Sequence, residues 1–241
     1  MEFVYPPVIV AAKTLFRVLD LKLRVRGAEH VPTSGGAVIA CTHVSYLDFI
    51  FCGLGTLPSG RRTRFMAKKE IFANRVAGPL MRGMRHISVD RAAGQASYQQ
   101  AVAKLREGEV VGVFPEATIS QSFTVKEIKT GAVRMAIEAD VPIIPMAVWG
   151  TQRLWTKGRP KNLTQRHVPI LIQAGEPFQP TADDDQEALT RDLRTRMSAL
   201  LDQVQRDYPD KPKSDEDAWW LPAHLGGTAP TPEQAATRKQ G

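Results

Sequence analysis

The stretch GAVIACTHVSYLDFI, Gly36 to Ile50, runs from continuous apolar character into a segment holding two titratable side chains, His43 and Asp48. A short apolar run bounded by glycine reads as a buried strand, and the residues after Cys41 as a turn into a helix. In one regular helix, positions five apart lie about 140° around the axis, so His43 and Asp48 do not share a face if both are helical. Ser45-x-x-Asp48 is a capping-box pattern, with Ser45 as N-cap and Asp48 at the third helical position. His43 then sits on the strand-to-helix turn and Asp48 swings back toward it.

Working outward, the same alternation recurs. TRFMAKKE (63–70), HISVDR (86–91), EVVGVFPE (109–116), VPIIPMAVWG (141–150) and VPILIQAGEPF (168–178) read as strands bounded by Gly, Pro or charge. Between them, residues 95–106 and 130–139 carry helical spacing, ended by Gly108 and Pro142. Residues 181–209 place Leu189, Leu193, Met197, Leu200 and Val204 at helical intervals behind an acidic start. The expectation is an α/β fold: one domain over residues 1–208, a central mixed sheet flanked by helices. Residues 209–241 turn to Pro, Lys, Asp, Gly and Thr and read as a poorly ordered tail. Within it, Trp219 and Trp220 are expected to dock on the domain, the alternative being an interfacial membrane anchor.

The chain has 241 residues, 43% of them hydrophobic and 24% charged, which suits one sizeable core. A formal net charge of +7 favours an anionic partner: nucleic acid, a phosphorylated metabolite or an acidic membrane surface. Cys41 and Cys52 lack the spacing of a zinc site or disulfide scaffold, which fits a reducing, cytoplasmic compartment. The N-terminus does not read as a secretory signal, and no apolar run reaches the roughly 18 residues needed to cross a bilayer. Contact with a membrane is therefore expected to be peripheral, at the cytoplasmic face. Residues 1–20 and the basic, apolar-interleaved segment 61–91 are the candidates, with ordinary core packing as the alternative for each.

Read from the residues alone, His43 and Asp48 admit a plain explanation in which Asp48 caps the helix and His43 is a satisfied loop residue. A metal site lacks a third ligand at recognisable spacing. A Cys41/His43 nucleophile pair shares a strand face, but Cys41 is more simply a small buried hydrophobe. A second cluster supports chemistry: EVVGVFPEATIS ends an apolar strand at Glu116, Thr118 and Ser120, at the carboxyl edge where α/β sheets bind ligands. Asp90, Arg91, Lys68, Lys69, Lys126 and Lys129 also fall at element ends.

In this order and spacing, the motifs resemble those of the glycerophospholipid acyltransferases typified by 1-acylglycerol-3-phosphate acyltransferase. The family's histidine-x4-aspartate motif matches His43 and Asp48, and its Lys-Lys-Glu block Lys68 to Glu70. Asp90-Arg91, FPEAT (114–118) and VPIIP (141–145) resemble its later motifs. The resemblance covers roughly residues 30–150. It implies transfer of a fatty acyl group from an acyl-CoA or acyl-carrier-protein thioester, with no bound cofactor and no metal, to a glycerol hydroxyl. The acceptor it points to is 1-acylglycerol 3-phosphate; glycerol 3-phosphate or another lysolipid is the alternative. His43 would act as general base and Asp48 would orient it. By resemblance, Glu116 and Arg91 bind the acceptor with Thr118, and Lys68 and Lys129 are secondary phosphate contacts, although each lysine taken alone reads more simply as solvated surface charge. Backbone N–H groups near Ser45 are candidate oxyanion donors.

Two positions depart from the family pattern Phe-Pro-Glu-Gly-Thr-Arg-Ser: Ala117 replaces the glycine and Ile119 the arginine. Either Lys126 or Lys129 supplies the missing cation, or the acceptor differs; if position 119 contacts the acceptor, Ile119→Arg should raise use of phosphate-bearing acceptors. The readings from other classes are a basic, non-enzymatic nucleic-acid-binding protein, for which no recognition motif is present, and a lipid-binding relative that has lost catalysis.

Overall fold

In the computed structural model, which describes residues 3–90 and 94–237, seven strands form one sheet in the order β1-β7-β6-β2-β5-β3-β4. They are β1 (Lys22–Arg26), β2 (Ala37–Cys41), β3 (Thr63–Lys68), β4 (Ile87–Val89), β5 (Val110–Val113), β6 (Ile143–Trp149) and β7 (Pro169–Ala174). β2 to β6 run parallel; β7 pairs antiparallel with β6 and parallel with β1, so the sheet is mixed, as expected. The expected strands are all present. β1, KLRVR, is an additional one: an edge strand with mostly exposed, charged side chains, a common way of blunting a sheet edge.

The helices are α1 (Tyr5–Val18), α2 (Asp48–Gly55), α3 (Lys69–Ala73), α4 (Ala77–Gly83), α5 (Gly94–Arg106), α6 (Gly131–Ala139), α7 (Gln186–Arg206) and α8 (Pro232–Thr237). β2 is buried along its whole length, and its side chains alternate between two cores. Val38 and Ala40 join residues of α5, α6 and α7, while Ile39 and Cys41 join Phe16 of α1 and Phe51 of α2. The basic segment 61–91 is divided into β3, α3, α4 and β4, with Met81 and Met84 buried and Val76 and Leu80 exposed.

The tail differs from its expectation. Residues 209–237 form short helical turns that pack back on the domain, with Trp220 and Ala229 in the α7-side core and Trp219 partly buried against it. Arg153 donates to Asp210 at 2.5 Å and lies over the Trp220 ring at 4.8 Å. A few large apolar anchors thus order a segment whose average composition reads as loose. Trp220 docks on its own domain, as expected.

Candidate active site

Three strands that run parallel deliver their carboxyl ends to one place. β2 ends in the turn 42–47, β5 in Phe114 to Glu116, and β6 in the turn 150–156. The imidazole of His43 stacks on Phe114, with ring centroids 4.3 Å apart. Its Nδ1 lies 3.1 Å from Asp48 Oδ2. With Nδ1 engaged by the carboxylate, the tautomer that protonates Nδ1 leaves Nε2 as the basic nitrogen.

Asp48 is fully buried and its carboxylate is surrounded by donors. Oδ2 also accepts the amides of Val44 and Ser45, each at 2.7 Å, and Oδ1 accepts the Thr151 hydroxyl at 2.7 Å. The bond to the Ser45 amide is one half of the expected capping box. The other half is missing, because Ser45 Oγ accepts from the Leu47 amide and donates toward the Thr151 and Trp155 carbonyls. α2 accordingly begins at Asp48 rather than just after Ser45. Capping and orienting His43 are two roles of one side chain.

Thr151 had no signal in the sequence, since its partner is 103 residues away. Its turn is held by Gly150, whose φ of 101° brings the place of a Cβ to 2.1 Å from the Pro169 carbonyl oxygen, leaving room only for glycine. Thr151→Val keeps the shape and removes the donor. It should lower the acyl-transfer rate roughly ten- to a hundredfold, the worth of a hydrogen bond to a charged group, with Thr151→Ser restoring most of it in the same kinetic assay.

Glu116 is almost fully buried and turns both oxygens toward main-chain donors. Oε1 accepts the His43 amide at 2.8 Å and Oε2 the Lys126 amide at 3.1 Å. Burial pushes its carboxyl up to about 7, against the opposing pull of those two amides. Through these two bonds the carboxylate braces the backbone on which His43 stands. A carboxyl raised from 4.5 to about 7 on folding binds its proton more tightly in the native state. It stabilises the fold below pH ~4.5, and this contribution, up to about 3 kcal/mol, is lost as pH rises through ~7. Urea midpoints between pH 5 and 8 should show that decline, and Glu116→Gln should flatten it while lowering stability at all pH values.

Ala117 adopts a left-handed backbone (φ 59°), the conformation that explains why the related motif carries glycine here. Lys126 Nζ donates to the Thr118 carbonyl at 2.5 Å and to its hydroxyl, tying Thr118 to the turn. The Lys129 amide donates to the Pro115 carbonyl at 3.1 Å and its side chain is exposed. Lys68 is exposed at the end of β3, beside Val89 of β4. Arg91 lies outside the described residues. The structure thus brings together His43, Asp48, Glu116 and Thr118, with Lys129 on the adjoining loop and Lys68 two strands away. Ile119 is buried, so an arginine there would have to leave the position as it stands, and the sequence-based expectation for Ile119→Arg does not carry over.

The amides of Val44, Ser45, Tyr46 and Leu47 all have partners within the turn or on Trp155, so they do not serve as the expected oxyanion donors. Cys41 is fully buried in the core with Phe16 and Phe51, which favours the small buried hydrophobe over the Cys41/His43 nucleophile pair; Cys52 beside it is also buried, and burial pushes its thiol up. Among the described residues, no group of three or more His, Cys, Asp or Glu side chains is placed to hold a metal ion.

Residues 22–149 match the family described as Acyltransferase. A 1-acyl-sn-glycerol-3-phosphate acyltransferase of Bacillus subtilis is 35% identical over 156 residues, 62% of this chain and 76% of that protein. One from Limnanthes douglasii is 31% identical over 162 residues, 64% of this chain but 56% of the plant protein, so the chain spans little more than half of that relative. The solved 1-acyl-sn-glycerophosphate acyltransferase of Thermotoga maritima superposes with a TM-score of 0.69 at 23% identity, over 85% of this chain and 81% of that one, a likeness of fold.

Proposed function

This chain belongs to the acyltransferase family, and from that premise we propose that it moves a fatty acyl group from a thioester to the free hydroxyl of 1-acylglycerol 3-phosphate, giving phosphatidic acid. The observation that carries the reading is the imidazole of His43, held at Nδ1 by a buried carboxylate at 3.1 Å. An alcohol is a weak nucleophile at neutral pH; Nε2 takes its proton as the oxygen attacks the thioester carbonyl. The tetrahedral intermediate then expels the thiolate, and the imidazolium returns the proton to sulfur. Asp48 stabilises the imidazolium and fixes its tautomer, as the acid of a hydrolase triad does. Here the acceptor supplies the hydroxyl, so no covalent enzyme intermediate forms.

The acceptor phosphate we assign to the cations on the β5, β3 and β4 side of His43: Lys68, Lys129 and, from its motif, Arg91. Lys126, at the turn where the related arginine is replaced by Ile119, adds a cation there. Glu116 and Thr118 shape this side of the site through the backbone contacts described above. The thioester donor is acyl-CoA or acyl-carrier protein.

The substrate's apolar tail calls for a bilayer surface, and α1 offers one. Phe16 and Tyr5 face the protein, while Val10, Leu15 and Val18 are exposed, together with Lys13 and Arg17. Val76 and Leu80 extend the exposed apolar surface from α4. Among the described residues no helix is long and apolar enough to cross a membrane. We therefore place the protein as a peripheral enzyme on an anionic bilayer, at the cytoplasmic face where thioester donors are found, with basic residues assisting attachment.

Offering 1-acylglycerol 3-phosphate, glycerol 3-phosphate and neutral lysolipids in turn, with palmitoyl-CoA and palmitoyl-carrier protein as donors, tests the reading. The expected product is phosphatidic acid, with neutral lysolipids used at least tenfold less well, since they forgo charge-assisted phosphate contacts. Equal use of neutral acceptors would reject the phosphate assignment.

A further inference from the structure

Between Asp140 and Glu176 the chain has no acidic residue but carries Arg153, Lys157, Arg159, Lys161 and Arg166. Arg153 is committed to Asp210. The other cations are exposed, and none forms an ion pair with a described residue. Such a run of uncompensated charge on one loop creates a local positive potential.

The loop is bonded directly to the catalytic turn. The Tyr46 amide donates to the Trp155 carbonyl at 3.2 Å, and Thr156 Oγ1 donates to the Val44 carbonyl at 2.7 Å. The partly exposed ring of Tyr46 packs on Trp155 with centroids 4.8 Å apart, and the Lys161 ammonium lies 4.3 Å from the Trp155 centroid. The Arg159 guanidinium covers Trp219 at 4.9 Å. Aromatic rings interleaved with unpaired cations, beside His43, form a strip on the β6 side of the sheet.

The sheet order gives this strip its meaning. β2, which presents His43, lies between β5 and β6. Of the residues assigned to the acceptor, Lys68 ends β3 and Lys129 is bonded to Pro115 after β5, so the second substrate has the β6 side for its approach. Direct transfer requires both to meet at His43.

We propose that the strip formed by Tyr46, Trp155, Lys157, Arg159 and Lys161 binds the nucleotide head of a coenzyme A thioester, its phosphates on the cations and its adenine against the rings. This rests on the acyltransferase reading above and names the donor for it. Phosphates are bound by lysine and arginine as charge-assisted partners, and every nucleobase offers a face for stacking. A lipid-docking surface would combine cations with several exposed aliphatic side chains, as α1 does; on this loop Leu163 is the exposed large aliphatic side chain. An acidic carrier protein would use the cations without the rings.

The test is a Lys157→Ala/Arg159→Ala/Lys161→Ala variant of the full chain, whose substitutions are exposed and leave the core untouched. Equilibrium dialysis with free coenzyme A should show binding to the wild type, weakened at least about tenfold in the variant and by added salt. In turnover, KM for palmitoyl-CoA should rise by a similar factor, while KM for palmitoyl-pantetheine, which lacks the nucleotide, stays where it was. Unchanged coenzyme A binding would overturn the proposal. So would a rise in KM confined to palmitoyl-carrier protein, which marks a protein-docking surface, or a loss confined to sedimentation with anionic vesicles, which marks a lipid surface. Coenzyme A binding by a wild type that transfers to no acceptor would instead count against the transferase reading and leave the donor site standing.

Discussion

His43→Ala should lower acyl transfer by about 10²- to 10⁴-fold, the usual contribution of a positioned general base, and leave the fold in place. The separation is possible because the structural bonds of this residue belong to its main chain. The His43 amide donates to Glu116 and its carbonyl accepts the Ser120 amide at 2.7 Å, and alanine keeps both. The lost side chain is partly exposed and packs chiefly on Phe114. Steady-state rates and circular-dichroism melting of the same preparation check the two halves of the prediction. A comparable fall in both would assign His43 to stability.

Asp48 should behave differently, because its carboxylate serves the fold and the base together. Asp48→Ala leaves two buried amides and the Thr151 hydroxyl without an acceptor, at about 1 to 3 kcal/mol each. The expected loss of about 3 to 5 kcal/mol is a large part of a typical domain's total stability. Asp48→Asn keeps the shape and one acceptor oxygen for those amides but gives up the charge that stabilises the imidazolium. It should melt close to the wild type and still lose at least about 10² in turnover, the kind of loss seen when a triad acid is made neutral. Denaturation midpoints paired with rates for both variants distinguish the roles. An Asn variant with wild-type turnover would reduce Asp48 to a cap.

Much of the site was legible because its signals are local. The spacing of His43, Ser45 and Asp48 forces a turn between strand and helix, and the chain folds that way with the helix start shifted to Asp48. The strands that deliver the site are short apolar runs with clear boundaries, and they appear where expected. What depends on tertiary contact was not legible. Thr151 is an ordinary threonine until β6 brings it beneath Asp48. Glu116 looks like a ligand-facing carboxylate in sequence, yet its oxygens meet the amides of His43 and Lys126. Ile119 stands at a position where a contact was expected, and packing has buried it. The terminal segment shows the limit of composition as a guide: Trp220 docks against Arg153 and Gln152 and orders residues that on average look soluble and loose. β1 hides in plain alternation, its apolar Leu23 and Val25 between cations, too short and charged to stand out.

The central claim is that the acceptor's own hydroxyl, deprotonated by His43, attacks the thioester without an acylated enzyme in between. Stopped-flow thiol release from palmitoyl-CoA, with and without 1-acylglycerol 3-phosphate, tests it most directly. The account predicts release that requires the acceptor, shows no initial burst, and disappears in His43→Ala. A burst of thiol equal to the enzyme present, in the absence of any acceptor, would contradict it.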